Sequence, residues 1–105
     1  MKDIIDKLIK FRDDRNWKQF HTPENIAKSI VLEAAELLEN FQWKNDSADI
    51  ENIKDEIADI MTYCLYMCET YELDMKTIIN EKIMKNEKKY PVDKAFGKAD
   101  KYNKL

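Results

Sequence analysis

Glu33 and Glu36 in "VLEAAELLENFQW" stand three positions apart, and Glu56 and Asp59 in "DEIADI" repeat that spacing beyond a short polar spacer. At about 100° per residue, positions three apart share one strip of a helix. Glu33 lies about 90° from the centre of the apolar face around it, and Glu36 about 60° further round. Ser29 and Asn40 share their strip, and Asn52 and Tyr63 share that of Glu56 and Asp59. Two such helices packed antiparallel through their apolar faces gather all four carboxylates on one flank. Unpaired anions crowded into a partly desolvated groove repel one another, and a divalent cation resolves the conflict. An all-oxygen set selects a hard metal. Mg²⁺ fits best, with Mn²⁺ as the alternative, because it accepts a few carboxylates together with waters and phosphate oxygens. The competing reading is a set of surface acids paired with lysines, since acidic pairs at this spacing are common on helices. Glu39 points to the other side of its helix and is left out of the set.

These strips need helices to carry them, and the apolar spacing is helical throughout. A first helix is expected over Lys2 to Arg15, with Ile4, Leu8 and Phe11 as its stripe, followed by the loop "NWKQFHTP". Thr22 as N-cap and Pro23 at the first helical position start a second helix that runs to about Gln42. Its core stripe is Ile26, Ile30, Ala34, Leu37 and Phe41. The polar stretch "KNDSAD" leads into a third helix over Asp49 to Tyr71, buried through Ile50, Ile53, Ile57, Met61, Cys64 and Cys68. A fourth starts at Asp74, runs to Lys89 and is stopped by Pro91. The expected fold is therefore all-α, a four-helix, bundle-like single domain over residues 1–105, whose residues 91–105 form a polar, lysine-rich tail. Apolar faces such as those of Ile60, Met67 and Ile78 exceed what one small core can cover, so a homodimer or homotetramer is expected.

Composition narrows the function classes. With one Gly and two Pro in 105 residues, glycine-rich phosphate cradles are excluded, so phosphate must be handled by cations. A net charge of −3 argues against a nucleic-acid partner. From Glu24 to Asp59 ten acids face three lysines, a balance of −7; from Lys85 to Lys104 seven lysines face three acids, a balance of +4. No apolar run reaches the ~20 residues of a membrane span, no signal-peptide pattern opens the chain, and two cysteines at helical spacing read as core residues of a cytoplasmic protein. Lys82, Lys85 and Lys89 form a cationic stripe on the fourth helix, beside a face on which Asn86 and Tyr90 fall with Met75, Ile79 and Ile83. A buried Asn needs a partner, in the fold or in a ligand. Trp17, Phe20, His21 and Trp43 are candidate walls for a nucleobase, with core packing the alternative for Trp17 and Phe20.

The segments "WKQFHTPENIAKSIVLEAAELLENFQW", "DEIADIMTYCLYM" and "KNEKKYP", in this order, resemble the MazG-like nucleotide pyrophosphohydrolases, and in particular their dCTP-pyrophosphatase-like branch. The likeness runs from Arg15 to Tyr102. Its hallmark, E-x-x-E then E-x-x-D, falls on Glu33, Glu36, Glu56 and Asp59. The resemblance implies hydrolysis of a nucleoside triphosphate between its α and β phosphates, with those four acids as catalytic residues and Mg²⁺ ligands. It also implies substrate contacts from His21, Asn25 and Trp43, and from Asn86 and Lys89; Lys82 and Tyr90 join the candidates through the cationic stripe and the Asn86 face of the fourth helix. Which glutamate serves as the base of the attacking water stays open. Leu32, Ala35 and Glu24 depart from residues frequent in the family, the last of them next to Asn25. The alternative reading is a non-catalytic helical module that binds nucleotides or partners. A di-iron protein of this architecture predicts Glu-x-x-His pairs, and the single His lies outside the acidic helices.

Overall fold

The computed structural model describes residues 1–43 and 49–105, and every described element is helical. The expected loop over "KNDSAD" falls, apart from Asp49, outside the described residues. The chain divides into two compact units, Met1–Glu72 and Leu73–Leu105. The first holds α1 (Lys2–Asp14), a short 3-10 turn (Lys18–Phe20), α2 (Pro23–Glu39) and α3 (Ile50–Thr70). The second holds α4 (Met75–Lys89), the single-turn α5 (Val92–Ala95) and a terminal 3-10 turn (Tyr102–Lys104).

The helices start where local chemistry tells them to. Thr22 Oγ1 accepts the Asn25 N–H at 3.2 Å with Pro23 behind it, Asp49 Oδ1 accepts the Asn52 N–H at 3.1 Å, and Asp74 Oδ2 accepts the Thr77 N–H at 2.9 Å. Each side chain satisfies one of the amides that a helix start leaves unpaired. α2 ends at Glu39 rather than Gln42. The Phe41 and Gln42 amides reach back only three residues, to Leu38 and Glu39, so the chain tightens into a turn there. Residues Asn16 and Glu72 take left-handed backbone at φ 54, where the chain leaves α1 and α3.

In the first unit α2 packs chiefly on α3, with α1 lying more lightly on α3. Rising residue numbers on α2 meet falling numbers on α3: Asn40 bonds Asn52, Glu33 meets Asp59, and Ser29 lines a cavity with Tyr63. The pair is antiparallel, as its short connection requires. Its centre is Ile26, 1% exposed, with Leu65, Tyr66 and Cys68. Tyr66 ties α1 in as well, its hydroxyl donating to the Leu8 carbonyl at 2.7 Å.

This core differs from the expected one. Ile50, Ile57 and Met61 stay exposed on α3, as do Phe41 beyond α2 and Ile4 and Phe11 on α1, while Leu65 and Tyr66 take the buried places. A wide apolar helix surface fixes only that one side is buried; α3 turns the Leu65–Tyr66 side inward because α1 and α2 both meet it there. The uncovered apolar surface is also elsewhere than expected. Ile60, Met67 and Ile78 are half-buried, whereas Val31 and Leu38 are each 67% exposed and Leu32 is close to them. No helix among the described residues is long and apolar enough to cross a membrane.

Candidate metal centre and its aromatic surroundings

Three of the four expected acids converge. Glu33 from α2 and Glu56 and Asp59 from α3 each offer a carboxylate oxygen, all within 4.8 Å of one another. Glu56 is only 7% exposed, and Glu33 is half-buried. One oxygen of each, Glu33 Oε2 and Glu56 Oε2, is sealed from solvent without a hydrogen-bond partner. Buried carboxylate oxygens without a donor are costly and uncommon. No lysine or arginine ion pair to these acids occurs among the described residues. Glu36 is exposed and stands outside the group of three. It is still close enough for its charge to act on both Glu33 and Glu56.

The electrostatics follow from this crowding. Loss of water pushes the Glu33 carboxyl up to about 7, helped by proton sharing with Glu56 and Glu36 and by the charges of Glu36 and Asp59. For Glu56 the largest influence, a hydrogen bond from Glu33, acts downward. Desolvation together with Glu36 and Asp59 outweighs it, and the carboxyl lies above its ordinary range. Both carboxyls therefore keep a proton to higher pH than an isolated glutamate does, and a bound cation opposes that uptake. The donor set is hard, anionic and under-neutralised, which fits Mg²⁺ or Mn²⁺ and does not suit a soft metal.

Two cavities overlap, and the second reaches the cluster through Asp59. One of about 210 Å³ is lined by Trp17, Phe20, His21, Asn25, Ser29 and Tyr63 among others. The next, about 260 Å³, includes Phe11, Asp59 and Tyr66 and shares Trp17, His21 and Tyr63 with the first. Asp59 thus belongs both to the carboxylate cluster and to an aromatic wall. His21 is packed edge-on against Tyr66, with centroids 4.7 Å apart and planes at 61°, and its Nδ1 is sealed without a partner. Burial, then the nearby Arg12 charge, pulls its pKa below the ordinary histidine value, so the ring is neutral at pH 7.

The other expected contact residues fare differently. Asn25 lines the first cavity, but its side-chain N–H is spent on the Phe20 carbonyl at 3.0 Å, leaving its oxygen free to face a ligand. Trp43 is 87% exposed and lines neither cavity. Lys82, Asn86, Lys89 and Tyr90 all belong to the second unit. There the Tyr90 ring meets Tyr102 edge-on at 6.3 Å and the Lys89 ammonium sits 5.0 Å over the Tyr102 ring. Lys82 and Asn86 are exposed. Tyr63 borders both cavities from one turn beyond Asp59 on the same strip of α3, and that spacing is its signal in the sequence.

The MazG-like family model matches residues 28–105, and the chain belongs to the MazG-like family. Among curated proteins it is similar to dCTP pyrophosphatase 1 of Rattus norvegicus, 30% identical over 114 residues, and of Bos taurus, 31% identical. Those alignments cover 100% of this chain and 67% and 68% of the relatives. Among solved structures it is similar to a pyrophosphatase from Archaeoglobus fulgidus, with a TM-score of 0.78 and 42% identity, covering 87% of this chain and 92% of that one.

Proposed function

We propose that this nucleotide pyrophosphatase is a Mg²⁺-dependent enzyme that cleaves nucleoside or deoxynucleoside triphosphates to the monophosphate and pyrophosphate. The observation that carries the reading is the meeting of Glu33, Glu56 and Asp59 oxygens within 4.8 Å, two of the carboxylates with a sealed, unpartnered oxygen. Glu33, Glu56 and Asp59 hold the cation, with Glu36 adding its charge at the rim; Mn²⁺ can replace Mg²⁺. When bound, the metal neutralises phosphate oxygens and makes the attacking water more acidic. The protein's own part is to orient and to manage protons. A glutamate of the cluster accepts the proton of the water that attacks the α phosphorus, and the bond to the β-phosphate oxygen breaks to release pyrophosphate. Trp17, His21 and Tyr63 flank the base and sugar, with Asn25 offering its side-chain oxygen and Trp43 assigned to the same end of the nucleotide. Lys82, Asn86, Lys89 and Tyr90 are assigned to the triphosphate tail, whose charge the lysines match.

The same reading includes a cytoplasmic homodimer or homotetramer, supported by the exposed Val31, Leu32 and Leu38 of α2. The deciding experiment is pyrophosphate release from a panel of NTPs and dNTPs with and without Mg²⁺. dCTP leads the panel because the curated relatives carry its name. Metal-dependent pyrophosphate release from at least one triphosphate is the expected result, and no release from any would overturn the reading.

A further inference from the structure

A third cavity, about 240 Å³, is lined by Arg12, Lys18, His21, Glu69 and Thr70. A single water needs ~10–15 Å³ of such space, so there is room for a polyatomic ion. None of Glu33, Glu56 and Asp59 borders it, and it meets the two aromatic cavities only at His21.

Arg12 is the unusual residue here, charged yet only 7% exposed. A guanidinium carries five N–H donors, and burying it is costly unless they find acceptors. Its Nε donates to Asp13 Oδ1 at 2.9 Å, and its carbon centre lies 5.9 Å from the Tyr66 ring centroid. Its two terminal nitrogens have no hydrogen-bond partner among the described residues, yet neither is sealed from solvent. Arg12 itself lines this cavity. Lys18 supplies a second cation, close enough to act on the Asp13 carboxyl, which the Arg12 hydrogen bond chiefly holds below its usual range. Thr70 gives its hydroxyl hydrogen to the Tyr66 carbonyl at 3.0 Å, so it offers only lone pairs, as does the Glu69 carboxylate. Besides the single N–H of the neutral His21 ring, the side-chain donors of the lining are the two cations.

We propose that this cavity is a second, metal-independent site for a phosphate oxyanion, gripped by the free fork of Arg12 with Lys18 as the second cation. A planar fork with two N–H groups matches two oxygens of a phosphate, and a lysine adds a point charge. Glu69 opposes the anion and keeps its binding weak. The same chemistry serves orthophosphate from solution and the pyrophosphate that the proposed reaction releases, and His21 is the ring through which an anion here touches the aromatic compartment.

The test is titration of the chain with orthophosphate and with pyrophosphate in excess EDTA, read by calorimetry or by ³¹P line broadening. Chelation removes any metal-bridged binding at the acidic cluster, so the result stands apart from the proposed function. Saturable binding of one or both anions is expected, and the tighter of the two identifies the source. Arg12→Gln should abolish binding, Lys18→Gln should weaken it about tenfold, and Glu69→Gln should tighten it. Lys18 and Glu69 are exposed, so their variants carry the test even if Arg12→Gln is unstable. Asp59→Asn should leave binding unchanged. No saturable binding in EDTA, loss of it in Asp59→Asn, or indifference to both Lys18→Gln and Glu69→Gln would overturn the proposal.

Discussion

Asn40, at the C-terminal cap of α2, donates its side-chain N–H to Asn52 Oδ1 of α3 at 2.9 Å and shares it with the Leu37 carbonyl at 3.1 Å. Asn40 stands one turn beyond Glu36 and Asn52 one turn before Glu56, on the strips that carry the acids. The amide pair therefore fixes how far α2 slides along α3, and with it whether Glu33 and Asp59 can face a common point. Asn52→Ala removes the acceptor from a solvent-accessible pair. It should cost about 0.5–1.5 kcal/mol, read as a lower urea midpoint, and weaken Mg²⁺ binding. Unchanged metal affinity would show that apolar packing alone sets the register.

The acids crowd one another, so their removal should separate activity from stability. Asp59→Asn or Glu56→Gln should lower kcat by ~100-fold or more, in the range seen when one preorganised charge-stabilising group is lost. Without metal, Asp59→Asn should melt higher than the parent chain, because one of the mutually repelling charges is gone. Adding Mg²⁺ should then raise the parent's Tm and barely move the variant's. Glu36→Gln tests the rim: it should abolish Mg²⁺-dependent turnover with the helical circular dichroism unchanged. Full activity in Glu36→Gln and Asp59→Asn together would remove the quartet from the chemistry.

Glu33 makes stability depend on pH in a definite direction. Its carboxyl rises from 4.5 to about 7 on folding, so between those values the folded chain binds more protons than the unfolded one. Its contribution is greatest below pH 4.5, is lost as pH rises towards 7 and is flat above. The metal-free chain should therefore lose melting temperature across that window, and saturating Mg²⁺ should reverse the loss on the alkaline side. Metal binding must also displace the held proton, so apparent Mg²⁺ affinity should fall as pH drops below about 7. Calorimetry in buffers of different ionisation enthalpy reads the released proton directly. No proton release at pH 6 would contradict the raised Glu33 carboxyl.

What the sequence made legible was whatever depends on near neighbours. Thr22 with Pro23, Asp49 and Asp74 mark helix starts through bonds only three residues long, and all three caps form. The acid strips follow from helical spacing, and their meeting required only that α2 and α3 pack antiparallel. The side of α3 that turns inward was not legible, because it is chosen by α1 and α2 together: Tyr66 bonds Leu8, 58 positions away in the chain. Arg12 was invisible for the same reason. Inside α1 it reads as one more exposed charge, and only the distant Tyr66 and the cavity beside Lys18 give it a buried place. Trp43, by contrast, is 87% exposed and borders neither aromatic cavity, and its aromatic type alone gave no sign of that.

Trp17, His21 and Tyr63 border both aromatic cavities, which makes them the residues to probe for substrate affinity. Stacking a base on an aromatic side chain contributes about 1–3 kcal/mol. Tyr63→Ala and Trp17→Ala should accordingly raise KM by roughly 5- to 150-fold with a smaller effect on kcat. A fall in kcat at constant KM would place these rings at the reacting phosphates instead.

Val31 and Leu38 stand seven positions apart on α2, two turns along one side, each 67% exposed, with Ala27 and Ala35 on the same side. Small residues between larger ones leave shallow hollows into which a neighbouring helix's side chains can pack. An apolar stripe of this kind on a chain of 105 residues is what a self-complementary contact between two copies requires. The chain should sediment as a dimer or tetramer, and raised salt should not dissociate it, since the contact is apolar. Leu38→Glu places a carboxylate in the middle of that contact and should shift the chain to monomer at micromolar concentration, while Lys54→Glu on an exposed, polar part of α3 should not. A parent chain that sediments as a monomer, or a Leu38→Glu variant that keeps the parent's mass, would show that α2 meets solvent on this side by design.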